Sequence, residues 1–156
     1  MNSNIQDKPG IIAPPPLIYL AGLGMGLLLH RLLPLALLPE ELTRILGWSL
    51  IIAALVLAAL SLRVLVRAGT SVDPYKPTTA IVTAGPYYYS RNPLYLSLTV
   101  IYTGVTLLRN VLWPLLLLPV VLWIIQRGLI AREESYLERT FGEVYRRYKV
   151  RTPRWL

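Results

Sequence analysis

The stretch PLYLSLTVIYTGVTLLRNVLWPLLLLPVVLWIIQ, residues 93–126, is almost wholly apolar apart from Arg109 and Asn110. A single helix of this length would be too long for a hydrocarbon layer of about 30 Å. Two helices joined at Arg109-Asn110 would each carry roughly 15 to 17 apolar residues, which is short for a membrane span. The pattern therefore predicts a tight helical hairpin that crosses the membrane with little tilt or reaches only part of the way across.

Two further apolar runs precede the hairpin. The first extends from Pro15 to about Leu38 and the second from about Ile45 to Val66, with the short loop PEELTR between them. Hydrophobic residues make up 54% of the 156 residues and charged residues only 15%, which is unusual for a soluble domain of this size. We predict an all-α integral membrane protein with about four transmembrane helices, in which a polar tail (1–14) precedes two spans (15–67).

The basic residues divide unequally between the two sides that four spans would create. Only Arg31, Arg44 and Arg109 fall on one side. The other side receives Lys8, Arg63, Arg67, Lys76, Arg91 and the eight Lys and Arg residues from Arg127 onward. Because the cytoplasmic segments of membrane proteins carry the excess of Lys and Arg, both termini and the loop 68–92 are predicted to be cytoplasmic.

This orientation places two polar segments, the loop 68–92 and the tail 127–156, at the base of the hairpin. In the tail, Leu129, Glu133, Tyr136, Leu137 and Phe141 recur at helical spacing, which predicts a cytoplasmic amphipathic C-terminal helix continuing the last span. None of the eight acidic residues lies within a span. That distribution argues against an ion-coupled transporter and suits an enzyme that works at the membrane surface.

Each polar feature also has a simpler interpretation. Tyr87–Tyr89 are compatible with an interfacial aromatic belt, and the basic tail with topology and binding of anionic lipid. The pair Glu133-Glu134 is compatible with a solvated helix face. The absence of cysteine and the presence of a single histidine exclude thiolate and multi-histidine metal sites, so no metal is predicted. No nucleic-acid partner is predicted.

Two motifs on either side of the hairpin favour a functional interpretation of these polar features. TTAIVTAGPYYYSRNPLY (78–95) and EESYLERTFGEVYRRYKVRTP (133–153) resemble the isoprenylcysteine carboxyl methyltransferase family and its relatives among the phospholipid methyltransferases. The resemblance covers about residues 74–154. It implies that residues 68–156 form a catalytic core, which transfers a methyl group from S-adenosylmethionine to a lipophilic acceptor at the cytoplasmic membrane face.

The resemblance also implies which residues contact the cofactor, namely those at the positions where the family motifs do so. These are Thr79, Ala80, Ile81, Val82, Tyr87, Asn92, Pro93, Leu94, Tyr95 and Glu133. The chemistry of these positions is suitable, because a carboxylate can pair with the α-ammonium of the cofactor and a tyrosine face can attract the sulfonium by about 0.5–2 kcal/mol. The N-terminus of the helix that begins near Pro93 favours the cofactor carboxylate.

The candidate catalytic residues are Arg91 and Glu134. Arg91 is assigned to structure or to the cofactor carboxylate, and Glu134 to removing a proton from an amine acceptor. Members of the family that methylate carboxyl groups are expected to carry an arginine one helical turn before the first glutamate, where this chain has Leu129. This departure disfavours a carboxylate acceptor. Two alternatives stay open: a phospholipid N-methyltransferase, and a non-enzymatic membrane module that binds lipid or a partner.

Overall fold

The computed structural model describes residues 13–71 and 78–156, and every regular element in them is helical. Most of the predicted polar tail and part of the loop 68–92, including Lys76, lie outside the described residues. The helices are α1 (Pro15–Leu32), α2 (Glu40–Arg67), α3 (Pro86–Tyr89), α4 (Pro93–Leu108), α5 (Trp113–Ile125), α6 (Ala131–Phe141) and α7 (Glu143–Arg151), with a π-helical turn, Gln126–Ile130, between α5 and α6.

Two helices are long and apolar enough to span a membrane, by length and composition: Glu40–Arg67 and the continuous helix Trp113–Phe141. Their most apolar windows are only 17% and 33% buried inside the molecule. Core helices of a soluble protein would be largely covered, so these exposed apolar faces are consistent with a membrane protein. The described residues are all helical, as predicted, whereas four complete spans remain a prediction, because α4 with 16 residues is only about 24 Å long.

The hairpin is present: α4 and α5 are joined by a short turn that contains Arg109 and Asn110. Asn110 has a positive φ of 49°, the left-handed conformation that asparagine tolerates better than most residues. Its Oδ1 accepts hydrogen bonds from the backbone N–H groups of Leu37 (3.0 Å) and Leu38 (3.3 Å), and its Nδ2 donates to the carbonyl oxygen of Leu38 (3.0 Å). The residue that interrupts the apolar run therefore fastens the hairpin to the α1–α2 connection.

The first two helices differ from the predicted spans at the ends that face each other. α1 ends at Leu32 and not near Leu38, because a residue before proline avoids the helical conformation and Leu33, before Pro34, has φ −138° and ψ 89°. α2 begins at Glu40, five residues before the predicted start. Acidic side chains in a first turn are stabilised by the positive end of the helix dipole, and α2 has two there.

Glycines let the helices pack closely. A Cβ atom on Gly104 of α4 would lie 2.7 Å from the side chain of Ile51 and 3.0 Å from the carbonyl oxygen of Gly47, both in α2. On α1, a Cβ atom at Gly26 would lie 2.5 Å from the ring of Pro114 in α5. These contacts hold α2 against α4 and α1 against α5 at distances that only small residues permit.

The predicted C-terminal helix continues the last span as far as Phe141, but it does not continue through the tail. Gly142 has φ 53° and ψ −122°, which ends α6, and α7 begins directly after it. Beyond α7, residues 152–155 form a non-helical segment, called here the C-terminal strap. The reversal at Gly142 brings this strap back to the start of α4.

Candidate functional site

A cavity of about 480 Å³ lies where α1 and α4 begin and α2 ends, with α6 and α7 closing it from the side of the tail. Its volume lies within the range of about 300–1,000 Å³ that is typical of small-molecule sites. It is lined by Pro15, Pro16, Ala58, Leu62, Leu65, Thr70, Ser71, Thr78, Ala80, Ile81, Val82, Tyr87, Arg91, Asn92, Pro93, Leu94, Tyr95, Ser97, Leu98, Ile101, Glu133, Glu134, Leu137, Tyr145 and Tyr148.

The cavity wall has two chemically different parts. Two apolar helices supply an apolar part, with Leu62 and Leu65 from α2 and Leu98 and Ile101 from α4. The motif residues and the tail supply a polar part that contains one arginine, two glutamates and several tyrosines. An amphipathic ligand, or one polar ligand beside one apolar ligand, would match such a wall.

The structure brings together the residues that the two motifs nominated. All of the nominated residues except Thr79 line the cavity. Thr79 is exposed, and its polar groups bond to the end of α2: its Oγ1 donates to the carbonyl oxygen of Gly69 (3.1 Å) and its backbone N–H donates to Oγ1 of Thr70 (3.2 Å). The hydrogen bonds of Thr79 thus fix the loop, and its neighbours Ala80, Ile81 and Val82 form the wall.

Glu133 is half-buried on the cavity wall and accepts a hydrogen bond at Oε2 from the hydroxyl of Tyr95 (3.2 Å). Within the described ranges it forms no ion pair. A carboxylate withdrawn from water without a cation is costly. The position is therefore prepared for a positively charged ligand group.

Glu134, the adjacent residue, has the opposite environment. Its side chain is 8% exposed, and its Oε1 lies 2.8 Å from Nη1 of Arg91. Arg154 donates to it in a bidentate manner, from Nε to Oε1 (3.0 Å) and from Nη2 to Oε2 (2.6 Å). The hydrogen bond to Glu134 raises the pKa of Arg154. Both oxygens of Glu134 are thus occupied by guanidinium donors, and this geometry speaks against the proton-accepting role suggested for it.

Arg91 connects this ion cluster to the cavity. Nη1 also donates to the hydroxyl of Tyr145 at 3.4 Å, and the backbone N–H donates to the carbonyl oxygen of Pro153 (3.0 Å). Its Nε is buried and meets no acceptor in the described part of the chain. A buried guanidinium N–H without an acceptor is uncommon in proteins, so part of the hydrogen-bonding capacity of Arg91 is left unused.

Three tyrosines border the polar part as neutral phenols. Burial, followed by the nearby Glu133 carboxylate and Tyr148, raises the pKa of Tyr87. Burial and the neighbouring Glu134 carboxylate raise the pKa of Tyr145 to about 12, and burial together with Tyr145 raises the pKa of Tyr148. Phenols of such high pKa are hydrogen-bond donors and aromatic surfaces at physiological pH, and they are poor proton acceptors.

The C-terminal strap, which was predicted only as a basic end serving topology and lipid, holds the motif loop in place. The carbonyl oxygen of Arg154 accepts from Nδ2 of Asn92 (3.0 Å) and from Oγ of Ser90 (3.2 Å). Thr152 adds a longer hydrogen bond, from its Oγ1 to the carbonyl oxygen of Tyr88 (3.3 Å). Asn92 therefore uses one side-chain N–H on the protein, and Arg154 is a site residue that the sequence alone did not predict. Its only signal was its place next to the proline that ends the second motif.

Leu129 is fully buried and belongs to the apolar core with Tyr95, Ile125 and Ile130. It does not line the cavity. Among the described lining residues, Arg91 is the one cationic side chain. The described residues also contain no cluster of His, Cys, Asp or Glu able to hold a metal ion.

The sequence is similar to those of known proteins. Residues 42–144 match the family model described as phospholipid methyltransferase, and this match extends from α2 to the start of α7. A Haemophilus influenzae protein, described as uncharacterized, is 43% identical over 63 residues, which are 40% of this chain and 100% of that protein. No solved structure matches the chain. Because the family match covers more than half of the 156 residues, the chain belongs to the phospholipid methyltransferase family, a family of membrane methyltransferases.

Proposed function

We propose that the protein transfers a methyl group from S-adenosylmethionine to a lipophilic acceptor at the cytoplasmic face of the membrane. The observation that carries the proposal is the two-part cavity. Its polar part contains the carboxylate of Glu133, which has no ion pair among the described residues, and its apolar part is built from the apolar helices α2 and α4. A water-soluble cofactor and a membrane-dissolved acceptor would meet where these parts join.

The residues of the polar part fit the cofactor. Glu133 would pair with the α-ammonium group, and the rings of Tyr87 and Tyr95 offer surfaces to the adenine or to the sulfonium. The first N–H groups of α4, at Leu94 and Tyr95, are available to an anion, since Pro93 occupies the first helical position. When bound, S-adenosylmethionine would supply an electrophilic methyl group on sulfur.

The chain contributes binding and orientation to this reaction. Methyl transfer needs nucleophile, carbon and sulfur in line, so the fixed position of the two ligands is the main catalytic term. Glu134 is bound by two arginines and the neighbouring phenols are neutral. We therefore expect an acceptor that enters with its nucleophilic lone pair free, or one that loses its proton to water.

A phospholipid amine is the second candidate for the acceptor, and the family match favours it. The cavity offers no lysine and a single arginine among its described lining residues, and Leu129 is buried in the core. An acceptor with a free carboxylate, such as a prenylated cysteine, would thus have only Arg91 as a cationic partner.

The test is transfer of a labelled methyl group by membranes that contain the protein, with a native lipid extract as acceptor. Label is expected in the lipid-soluble fraction, and separation of headgroup classes distinguishes a phospholipid amine from a thiol or carboxyl acceptor. Glu133→Gln should abolish most of the transfer. Glu143→Gln, an exposed position of α7 outside the cavity, is the matched control. An absence of labelled lipid with every native extract would contradict the enzymatic proposal and favour a non-enzymatic lipid- or partner-binding module.

A further inference from the structure

Among the described residues, the ion cluster beside the cavity has two cationic groups and one anionic group. Two guanidinium groups, those of Arg91 and Arg154, share the single carboxylate of Glu134. The side chain of Arg91 is only 9% exposed, whereas that of Arg154 is 31% exposed and so partly hydrated. The uncompensated charge therefore falls on the buried partner, which is the arginine that lines the cavity.

Arg154 causes this imbalance by competing for Glu134. Its bidentate grip places a donor on each carboxylate oxygen and leaves Arg91 a single contact, from Nη1 to Oε1. If the Arg154 guanidinium were absent, Arg91 could form the parallel two-bond pair that arginine favours with a carboxylate. Its charge would then be neutralised within the protein by Glu134, and less of it would be available to a ligand.

The cavity wall thus presents two opposite charges that the described residues neutralise incompletely. Glu133 supplies a carboxylate with no ion pair in the described ranges, and Arg91 supplies a guanidinium that shares its carboxylate partner with Arg154. The start of α4, whose first N–H groups lie beside Arg91 in sequence, adds the positive end of a helix dipole. A ligand end that carries both an ammonium and a carboxylate, as a free α-amino acid does, is the complement of this pattern.

We propose that Arg154 is a positioning residue: by holding Glu134 it keeps Arg91 available to bind the carboxylate of an amino-acid moiety in the cavity. This inference rests on the proposed function, because S-adenosylmethionine and its demethylated product carry such a moiety. It assigns the C-terminal strap a part in ligand selection, beyond its part in holding the motif loop.

The experiment compares two ligands on the purified full-length protein in detergent by calorimetry. S-adenosylhomocysteine carries the amino-acid end, and methylthioadenosine shares the adenosine and the sulfur but lacks that end. Arg154→Ala should weaken S-adenosylhomocysteine roughly tenfold or more, as expected for loss of a charged hydrogen bond, and methylthioadenosine by less than about twofold. Arg154→Lys should not restore the wild-type affinity for S-adenosylhomocysteine, because a lysine cannot form the bidentate contact. Arg151→Ala, an exposed arginine of α7 with no ion pair in the described chain, is the control and should change neither.

The ratio of the two affinities is the deciding quantity, since both ligands are measured on the same preparation and the fraction of folded protein cancels. Equal weakening of both ligands, or no weakening of either, would show that Arg154 has a structural role at most and would overturn this inference alone. Wild-type protein that binds neither ligand would remove the proposed function together with the inference.

Discussion

Replacing Glu133 by glutamine gives the sharpest test of the polar part of the cavity. The substitution preserves the shape of the side chain and an oxygen that the Tyr95 hydroxyl, 3.2 Å away in the wild type, can still contact. It removes only the negative charge. Since Glu133 has no ion pair within the described ranges, no buried cation of the protein is left uncompensated, and we expect the variant to fold.

The expected loss follows from the bond that the charge would make. A hydrogen bond to a charged group contributes about 1.5–3 kcal/mol, so binding of S-adenosylhomocysteine should weaken about 10- to 150-fold. Calorimetry of the detergent-solubilised protein measures this change, and thermal unfolding of the unliganded variant checks that its stability is retained. Glu143→Gln should bind as the wild type does.

A change of less than about twofold in Glu133→Gln, with the wild type binding normally, would refute the reasoning. The carboxylate of Glu133 would then not contact the ammonium group of the ligand, and the cavity would lack an anionic partner for an amino-acid moiety. Tyr95→Phe offers an intermediate case. It removes one neutral donor from Glu133, and we expect a loss of about 1 kcal/mol in binding.

Three further predictions concern packing, protonation and orientation. Gly104→Ala should destabilise the protein by about 1–3 kcal/mol, which would lower its unfolding temperature in detergent. Gly24→Ala is the control and should not destabilise the protein, because an added Cβ there meets nothing within 4 Å. Equal unfolding temperatures of the two variants would refute the close packing at Gly104. Because the pKa of Tyr145 is raised to about 12, the rate of methyl transfer should show no titration of this phenol up to about pH 10. The pH–rate profiles of the wild type and of Tyr145→Phe should therefore have the same shape. A decline at basic pH that is present in the wild type and absent from the variant would contradict this prediction. The chain has no cysteine, so Leu38→Cys and Val150→Cys report orientation without background: a membrane-impermeant maleimide applied to intact cells should label only the first, and labelling of the second would place the cavity on the outer face.

The parts of the fold that the sequence predicted are those encoded by short segments. An apolar run interrupted once at Arg109-Asn110 predicts a hairpin, and the structure has it. The apolar run predicts that α1 ends near Leu38, whereas the helix ends at Leu32, before Pro34. An apolar run indicates which residues lie in the membrane, but it does not indicate where within the run the helix stops. The break at Gly142 was missed for a related reason: helical spacing continues on either side of it, and only the backbone conformation shows the reversal.

The sequence predicted most of the site residues that line the cavity, but it did not predict the contacts among them. The two motifs nominated residues that do assemble, although they are separated by the whole hairpin. The partners of Glu134 could not be inferred, because 63 residues separate Arg91 from Arg154 in sequence and many other arginines of the tail have the same local character. Burial and distance, which distinguish Arg154 from Arg151, exist only in the folded chain.

The contacts of the hairpin turn restrict how the molecule can open. Asn110 fastens the turn to the segment after α1, and Nε1 of Trp113 donates to the carbonyl oxygen of Leu33 at 2.7 Å. Both contacts lie at the end of the helices that is remote from the cavity. These contacts join the four long helices at one end, so we expect any separation of the helices that admits a ligand to be smallest near Asn110 and largest at the cavity.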